Sequence, residues 1–332
     1  MSDLFRMNWD AFDPVTGIKV VVASLLVFGL MAVTGQSWIA TGLVVLFAWL
    51  TNVPGPLKDR ILGMIAFAVG AIALTYVSAS IGLELWSNTI AIVVIGLLGT
   101  LALAHGTRAY MVGYVLICWA IYGPFLVAST SIMNCVGAIV VGTGAIIVTT
   151  LIGSLFEKGS EAPAATDEQA ETQKPDYGAV MPYAVTVAAV LGLTTYIGWI
   201  TLKTDPTMAV AGAFFVIGFD AQKTWISGIT RVIGVILGVV CGYAAAQVLA
   251  PGLTTEIVTL VALFMSFAAM GVNPGLFMFF FMFLIALGWT SLDPETLDQT
   301  FWERISAESV GVAIAIIAIG FLQWLQAKKT SS

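Results

Sequence analysis

Residues 60–63 read Arg-Ile-Leu-Gly, and residues 231–234 read Arg-Val-Ile-Gly, 171 positions further along the chain. Each motif stands near the start of the third apolar segment in its half of the sequence. The second segments match as well, with Trp-Ile-Ala-Thr-Gly at 38–42 and Met-Ala-Val-Ala-Gly at 208–212. Glycines 17 residues apart recur later in both halves, at Gly106 and Gly123 and at Gly271 and Gly288. These matches predict an internal repeat.

The composition places the repeat in a membrane. Of the 332 residues, 59% are hydrophobic and only 10% are charged, and the mean hydropathy is +0.99, whereas a soluble chain has about 25% charged residues. The apolar runs are continuous and do not alternate with polar residues, so they predict helices and not a β-barrel. We therefore predict an all-α polytopic membrane protein with about twelve transmembrane helices, arranged as two parallel six-helix repeats. A parallel repeat is a common way to build a transport pathway between two halves.

The apolar segments divide the chain into a first six-helix half at 17–156 and a second at 179–326. An acidic, proline-containing stretch at 157–178 joins them and predicts a cytoplasmic linker that cannot bury a core. Short cytoplasmic tails are predicted at 1–16 and 327–332. The predicted spans are 18–34, 38–52, 61–80, 86–104, 109–127, 131–156, 180–202, 207–219, 229–249, 254–270, 275–290 and 305–326.

Basic residues predict the orientation. With the N-terminus inside, eleven of the 13 Lys and Arg residues fall on the cytoplasmic side, and only Lys203 and Arg304 fall outside. This bias follows the positive-inside rule, so both termini are expected in the cytoplasm. Cys118, Cys135 and Cys241 lie inside apolar segments and are interpreted as core residues, not as a disulfide framework.

The sequence does not favour an enzyme. His105 is the single histidine, so a histidine-based metal site or a catalytic triad is not expected. No Gly-rich phosphate loop follows a strand. We expect no cofactor, no metal and no nucleic acid.

The second segment of each half is unusually short, at 38–52 and 207–219, where about 20 residues are needed to cross a bilayer. Prolines punctuate both segments, with Pro54 and Pro56 after the first and Pro206 before the second. Short, broken segments at corresponding places in two halves point to a binding site or pathway. The alternative is that polar flanks complete each helix and neighbouring helices bury it.

The fifth segments form a second matched pair. One opens with His105 and Arg108, and the other with Gly271, Asn273 and Pro274. Glycine and proline there either leave backbone groups free to line a cavity or form a tight cytoplasmic hairpin.

Three arginines stand at the N-terminal ends of predicted spans, at Arg60, Arg108 and Arg231. They either follow the positive-inside rule, with Asp59 and Asp220 as counter-ions, or they attract an anion together with free helix N–H groups. Asp220 and Lys223 flank the inner end of the short second-half segment. The simple interpretation is that Asp220 and Lys223 form a solvated ion pair. The functional interpretation is that they lie beside the transport pathway.

No Asp, Glu, Lys or Arg lies at the centre of a predicted span. Proton-coupled carriers commonly keep such a residue there, so the sequence does not favour proton coupling.

The short second segment, the stretch Pro-Gly-Pro-Leu-Lys-Asp-Arg-Ile-Leu-Gly at 54–63 and the Gly/Ala-rich third segment resemble the fusaric acid resistance and aromatic acid exporter superfamily. The second half repeats this pattern from 220–223 to 231–234. The resemblance covers nearly all membrane segments, but the chain lacks the large cytosolic domains of the better-known members. The plant aluminium-activated malate transporters, which are anion channels, have a similar six-helix unit paired as a dimer.

The resemblance implies export of aromatic or other organic carboxylates across the bacterial inner membrane, in some cases with a periplasmic adaptor. We therefore predict an inner-membrane exporter of small organic carboxylates or related toxic compounds. The expected partners are this substrate, the lipid bilayer and such an adaptor. Two alternatives stay open: a passive organic-anion channel, and a non-transporting subunit that anchors or scaffolds a partner.

Overall fold

A computed structural model describes residues 7–34, 41–82, 84–156, 177–202, 207–217, 221–249, 253–292, 302, 306–307, 309–318, 320–321 and 324. No strand occurs among these residues, so the predicted all-α class is confirmed for the described chain. Residues 157–176 of the linker predicted at 157–178, Asp220 and the tail at 327–332 lie outside the described residues, and the last two linker residues belong to a helix that begins at Tyr177.

The first half folds into a series of helices joined by short turns. They are α1 (Pro14–Thr34), α2 (Thr41–Leu50), α3 (Leu57–Ile81), α4 (Leu85–Leu101), α5 (Thr107–Ser129) and α6 (Ile132–Phe156). Two 3₁₀ turns accompany them, at Trp9–Ala11 before α1 and at Ala102–His105 between α4 and α5.

The second half of the chain forms a further series of helices. Its helices are α7 (Tyr177–Leu202), α8 (Thr207–Val216), α9 (Ala221–Val248), α10 (Leu253–Ala268), α11 (Pro274–Leu292) and the described part of the last helix, α12 (Ser309–Ala318).

Seven of the described helices are long and apolar enough to cross a membrane, namely α1, α3, α4, α5, α6, α7 and α9. The protein is therefore a multi-pass membrane protein. The second helix of each half, α2 or α8, has only ten residues. Ten residues of helix rise about 15 Å, half of the roughly 30 Å hydrocarbon core. Twelve spans and two six-helix repeats stay predictions.

The chain forms two compact units. The first unit contains residues 22–200, and the second contains residues 201–332 together with residues 1–21. Each unit thus includes a helix, or part of one, from the other half of the sequence: α7 belongs to the first unit, and the start of α1 belongs to the second.

The core of the first unit lies among α2, α3 and α5. The Phe47 ring meets the rings of Phe67 and Trp119 edge to face, with centroids 6.4 Å apart in both pairs. The Trp119 indole N–H donates to the Thr75 hydroxyl at 3.1 Å. That bond satisfies the polar atom of a buried indole, so the aromatic group can sit deep between the helices.

The second unit is built on close contact between α9 and α11. Gly234, Gly238 and Gly242 recur every fourth residue, so they share one face of α9. A Cβ built at Gly242 would lie 2.7 Å from the Phe283 carbonyl oxygen, and those at Gly234 and Gly238 would clash with the carbonyls of Gly275 and Phe279. Small residues at this spacing let two helix backbones approach closely. The buried side chains beside the glycines are Val235, Val239, Met278, Met282 and Ala286.

The residues before α1 form a short strap in the second unit. The Asn8 N–H donates to the Val272 carbonyl at 3.1 Å, and the Asp13 N–H donates to the Ala268 carbonyl at 2.9 Å. The Asp13 carboxylate also accepts the N–H of Val15 at 3.0 Å, which caps the start of α1. The strap therefore ties α1 to the turn between α10 and α11.

Candidate functional site

The turn between α2 and α3 positions the two arginines predicted in the first half. Gly55 has φ +146°, in the region that favours glycine, and a Cβ there would lie 2.6 Å from Nη2 of Arg108. Pro56 ends the turn, and its carbonyl accepts the N–H groups of Asp59 and Arg60 at 2.9 and 3.1 Å. Gly55 therefore lets the Arg108 side chain approach the backbone of the turn, directly before α3 begins.

Arg108 forms an ion pair with Asp59. Nη1 of Arg108 lies 3.0 Å from Oδ2 of Asp59, and the two side chains are 36% and 38% exposed. The pair joins the first turn of α5 to the first turn of α3. An ion pair that is partly exposed contributes about 0.2–1 kcal/mol. Asp59 is thus the counter-ion of Arg108, as in the first of the two alternatives that the sequence left open for the arginines.

Arg60 forms a hydrogen bond with the side-chain amide of Asn52. Its Nε donates to Oδ1 of Asn52 at 2.7 Å, and Nδ2 of Asn52 donates to the Thr150 hydroxyl at 3.4 Å. This chain of bonds connects the end of α2 with α3 and α6. We call Asn52, Asp59, Arg60, Arg108 and Thr150 the arginine cluster. Our prediction from the sequence did not include Asn52 or Thr150, and the single local signal for Asn52 was its place at the end of the short second segment.

The arginine cluster has the chemistry of a carboxylate site. Arg60 lies in the first turn of α3 and Arg108 in the first turn of α5, where helix N–H groups carry partial positive charge. A guanidinium presents paired N–H donors that match the two oxygens of a carboxylate. The cluster thus brings two guanidinium groups and the first turns of two helices to the α2–α3 turn.

The third predicted arginine has a different setting. Arg231 lies in the second unit and is only 5% exposed. α9 begins at Ala221, so Arg231 lies in the third helical turn, not at the helix start. The effect of the helix dipole falls off within the first turn. The helix-dipole argument therefore applies to Arg60 and Arg108 but not to Arg231.

His105 contacts the start of the second half. Its Nε2 lies 2.5 Å from the Tyr177 hydroxyl, and the two rings meet edge to face with centroids 5.6 Å apart. One helical turn further on, Tyr110 and Tyr183 also share a side-chain hydrogen bond. These contacts bind α5 to α7 within the first unit. Tyr177 was not predicted, because nothing in the sequence relates it to a histidine 72 positions earlier.

Asn273 caps α11. Its Oδ1 accepts the N–H of Gly275 at 2.7 Å and that of Leu276 at 3.4 Å. The Val272 N–H bonds the Ala269 carbonyl at 3.0 Å. These bonds form a tight turn between α10 and α11, the hairpin that the sequence left as one of two alternatives.

The structure describes less of the two remaining candidate residues, Asp220 and Lys223. Asp220 is outside the described residues, and for Lys223 only the helical backbone within α9 is described. In the described residues, no group of three or more His, Cys, Asp or Glu side chains forms a candidate metal site.

A small cavity lies away from the arginine cluster, between α3, α4 and α5. It has a volume of about 20 Å³ and is lined by Ser78, Asn88 and Pro124 among other residues. One water needs about 10–15 Å³, whereas ligand pockets have about 300–1,000 Å³. This cavity fits a single water and not a substrate.

Comparison with known proteins gives a family match. Residues 183–318 match the family described as fusaric acid resistance protein-like. The resemblance noted from the sequence is therefore confirmed, on a stretch that lies in the second half of the chain. No curated protein and no solved structure matches the chain.

Proposed function

We propose that this fusaric acid resistance-like membrane protein is an exporter of small organic carboxylates, aromatic ones in particular, across the bacterial inner membrane. Its family likeness and its apolar helices are consistent with a membrane transporter. The positive-inside bias of the sequence supports a cytoplasmic position for the arginine cluster. The substrate therefore enters from the cytoplasm and leaves on the far side.

The observation that carries this proposal is the convergence of Arg60 and Arg108 at the α2–α3 turn. Both arginines are partly buried, and both are tied to that turn, Arg60 through Asn52 and Arg108 through Asp59. A structural anchor for topology needs only a positive charge in water. An oriented pair of guanidiniums beside a broken membrane helix fits selection of a carboxylate better.

Arg231 supplies the corresponding group of the second half in this proposal. It occupies the matching place in the Arg-x-x-Gly repeat, near the short helix α8. We expect both Arg60 and Arg231 to contribute to transport, each within its own unit.

The test compares Arg60→Gln and Arg60→Lys with Lys58→Gln, a matched loss of charge two residues away at an exposed position. The purified proteins are placed in liposomes, and uptake of radiolabelled p-aminohippurate is measured at equal protein content. We expect Arg60→Gln to lower the rate at least about tenfold, and Arg60→Lys to restore it poorly, because an ammonium cannot make the bidentate contact. Lys58→Gln is expected to retain at least about half of the rate.

Other outcomes separate the alternatives. Full activity of Arg60→Lys, together with loss of membrane insertion in Arg60→Gln, would show that the arginine serves topology. Current without a pH gradient would indicate a passive channel, and a strict requirement for the gradient would indicate an exchanger. Neither current nor uptake from a folded protein would indicate a scaffold or anchor subunit.

A further inference from the structure

We propose that Asp59 is a built-in competitor of the substrate: its carboxylate pairs with Arg108 and must be displaced when an organic anion binds. This inference rests on the proposed function, since it assigns a regulator to the same site.

The geometry holds Arg108 between two fixed neighbours. Nη1 pairs with Asp59 at 3.0 Å, while Nη2 approaches the turn at Gly55, where any Cβ would lie 2.6 Å away. The Arg108 guanidinium therefore reaches the α2–α3 turn while its Nη1 is already paired with the Asp59 carboxylate. A substrate that offers the same pair of oxygens competes for the same donors.

The exposure of the pair makes the exchange possible. A fully buried ion pair loses its partner only at great cost, because the remaining charge stays without solvent. Asp59 and Arg108 are each more than one third exposed, so water can solvate the displaced carboxylate. Asp59 also stands next to Arg60 in the first turn of α3. It therefore lowers the positive charge of the cluster until the substrate replaces it.

Asn52 sets the orientation that this exchange needs. Its Oδ1 holds Nε of Arg60, and its own amide is held by Thr150. Arg60 is thereby fixed to α2 and α6, while Arg108 is paired to a residue that can move away. The two arginines have different roles: Arg60 is the oriented anchor, and Arg108 is the exchangeable contact.

The experiment measures the half-saturating concentration of p-aminohippurate in liposomes for Asp59→Asn, for Arg108→Gln and for the double variant. Asp59→Ser serves as a second neutral replacement in case Asp59→Asn does not fold. Asp10→Asn is the matched loss of an exposed acid elsewhere on the predicted cytoplasmic side. Size-exclusion chromatography checks that each protein is folded.

We expect the neutral replacements of Asp59 to lower the half-saturating concentration by about 1.4- to 5-fold, the range that corresponds to a partly exposed ion pair. Arg108→Gln raises this concentration, and Asp59→Asn has a smaller effect in that background, because part of its effect acts through Arg108. Asp10→Asn stays near the value of the unaltered protein.

Three results would overturn the inference. The first is an unchanged or raised half-saturating concentration in both neutral variants while Arg108→Gln still impairs binding; the proposed function would then stand without its competitor. The second is an equal decrease in the Arg108→Gln background, which would mean a general effect of charge. The third is an absence of saturable uptake by the unaltered protein, which would remove the proposed function and this inference together.

Discussion

α3 and α9 carry the same Arg-x-x-Gly motif but place it in different surroundings. In α3, Arg60 is half-buried and bonded to Asn52, and a Cβ at Gly63 would lie 3.0 Å from the Thr51 carbonyl oxygen. In α9, Arg231 is nearly buried, and Gly234 lies directly on the backbone of Gly275. A shared motif therefore does not give these two arginines a shared environment.

The difference has two physical causes. α3 begins at Leu57, one turn before its arginine, whereas α9 begins at Ala221, almost three turns before. Four residues after the shared glycine, α3 has Phe67 and α9 has Gly238. Phe67 fills the core by packing on Phe47, while Gly238 lets the α11 backbone come into contact. Aromatic rings fill the space among α2, α3 and α5. α9 and α11 pack instead through direct backbone contact.

The turns that precede α5 and α11 extend the comparison. The α4–α5 turn holds Tyr177, the first residue of α7, through His105. The α10–α11 turn holds the strap before α1 through backbone bonds of Asn8 and Asp13. The start of α7 is thus bound by the α4–α5 turn through a side chain. The strap before α1 is bound at the α10–α11 turn through the backbone.

The largest effect is expected when the residue of α3 is placed in α9. Gly238→Phe puts a ring where the Phe279 carbonyl lies, and the α9–α11 contact must open. Overpacking of a close contact costs about 1–3 kcal/mol and occasionally more. We expect a strong loss of the monodisperse protein on size-exclusion chromatography. Gly29→Phe is the control, because nothing lies within 4 Å of a Cβ there; equal losses would contradict the comparison.

A smaller effect is expected when the two arginines are compared for stability. Arg231→Gln changes a nearly buried charge, and leaving a buried polar group without its partner costs about 1–3 kcal/mol, or more for charged groups. Arg60→Gln changes a half-buried group, for which about 0–1 kcal/mol is expected. Thermal unfolding in detergent should therefore show a clearly larger drop in melting temperature for Arg231→Gln. Equal drops would mean that the two arginines are structurally equivalent after all.

The smallest effect concerns the docking of α7. Tyr177→Phe removes the hydroxyl that contacts His105 but keeps the ring contact, so the loss should be about 0.5–1.5 kcal/mol. Asn8→Ala should have less effect, because the strap is held there by its backbone N–H. Tyr76→Phe, at an exposed position, is the control for the loss of a tyrosine hydroxyl. Melting temperatures that fall equally in all three variants would contradict side-chain docking of α7.

Local sequence determined the class of the protein and part of its site. Continuous apolar runs require helices in a membrane, since every backbone polar group must be satisfied within its own segment. The ten-residue helices α2 and α8 occur within the predicted short segments, and Asp59 is a counter-ion as expected. These features depend on residues close together in the chain, so composition, spacing and charge were sufficient to predict them.

The tertiary structure alone decided which distant residues complete the site. Thr150 reaches Asn52 across 98 positions, and Tyr177 reaches His105 across 72. The start of α9 at Ala221, and with it the burial of Arg231, likewise depended on how the second unit packs. Hydropathy reports only how apolar a segment is. Which face of a helix meets which neighbour is set by side-chain fit between helices, and that fit is formed only when the chain has folded.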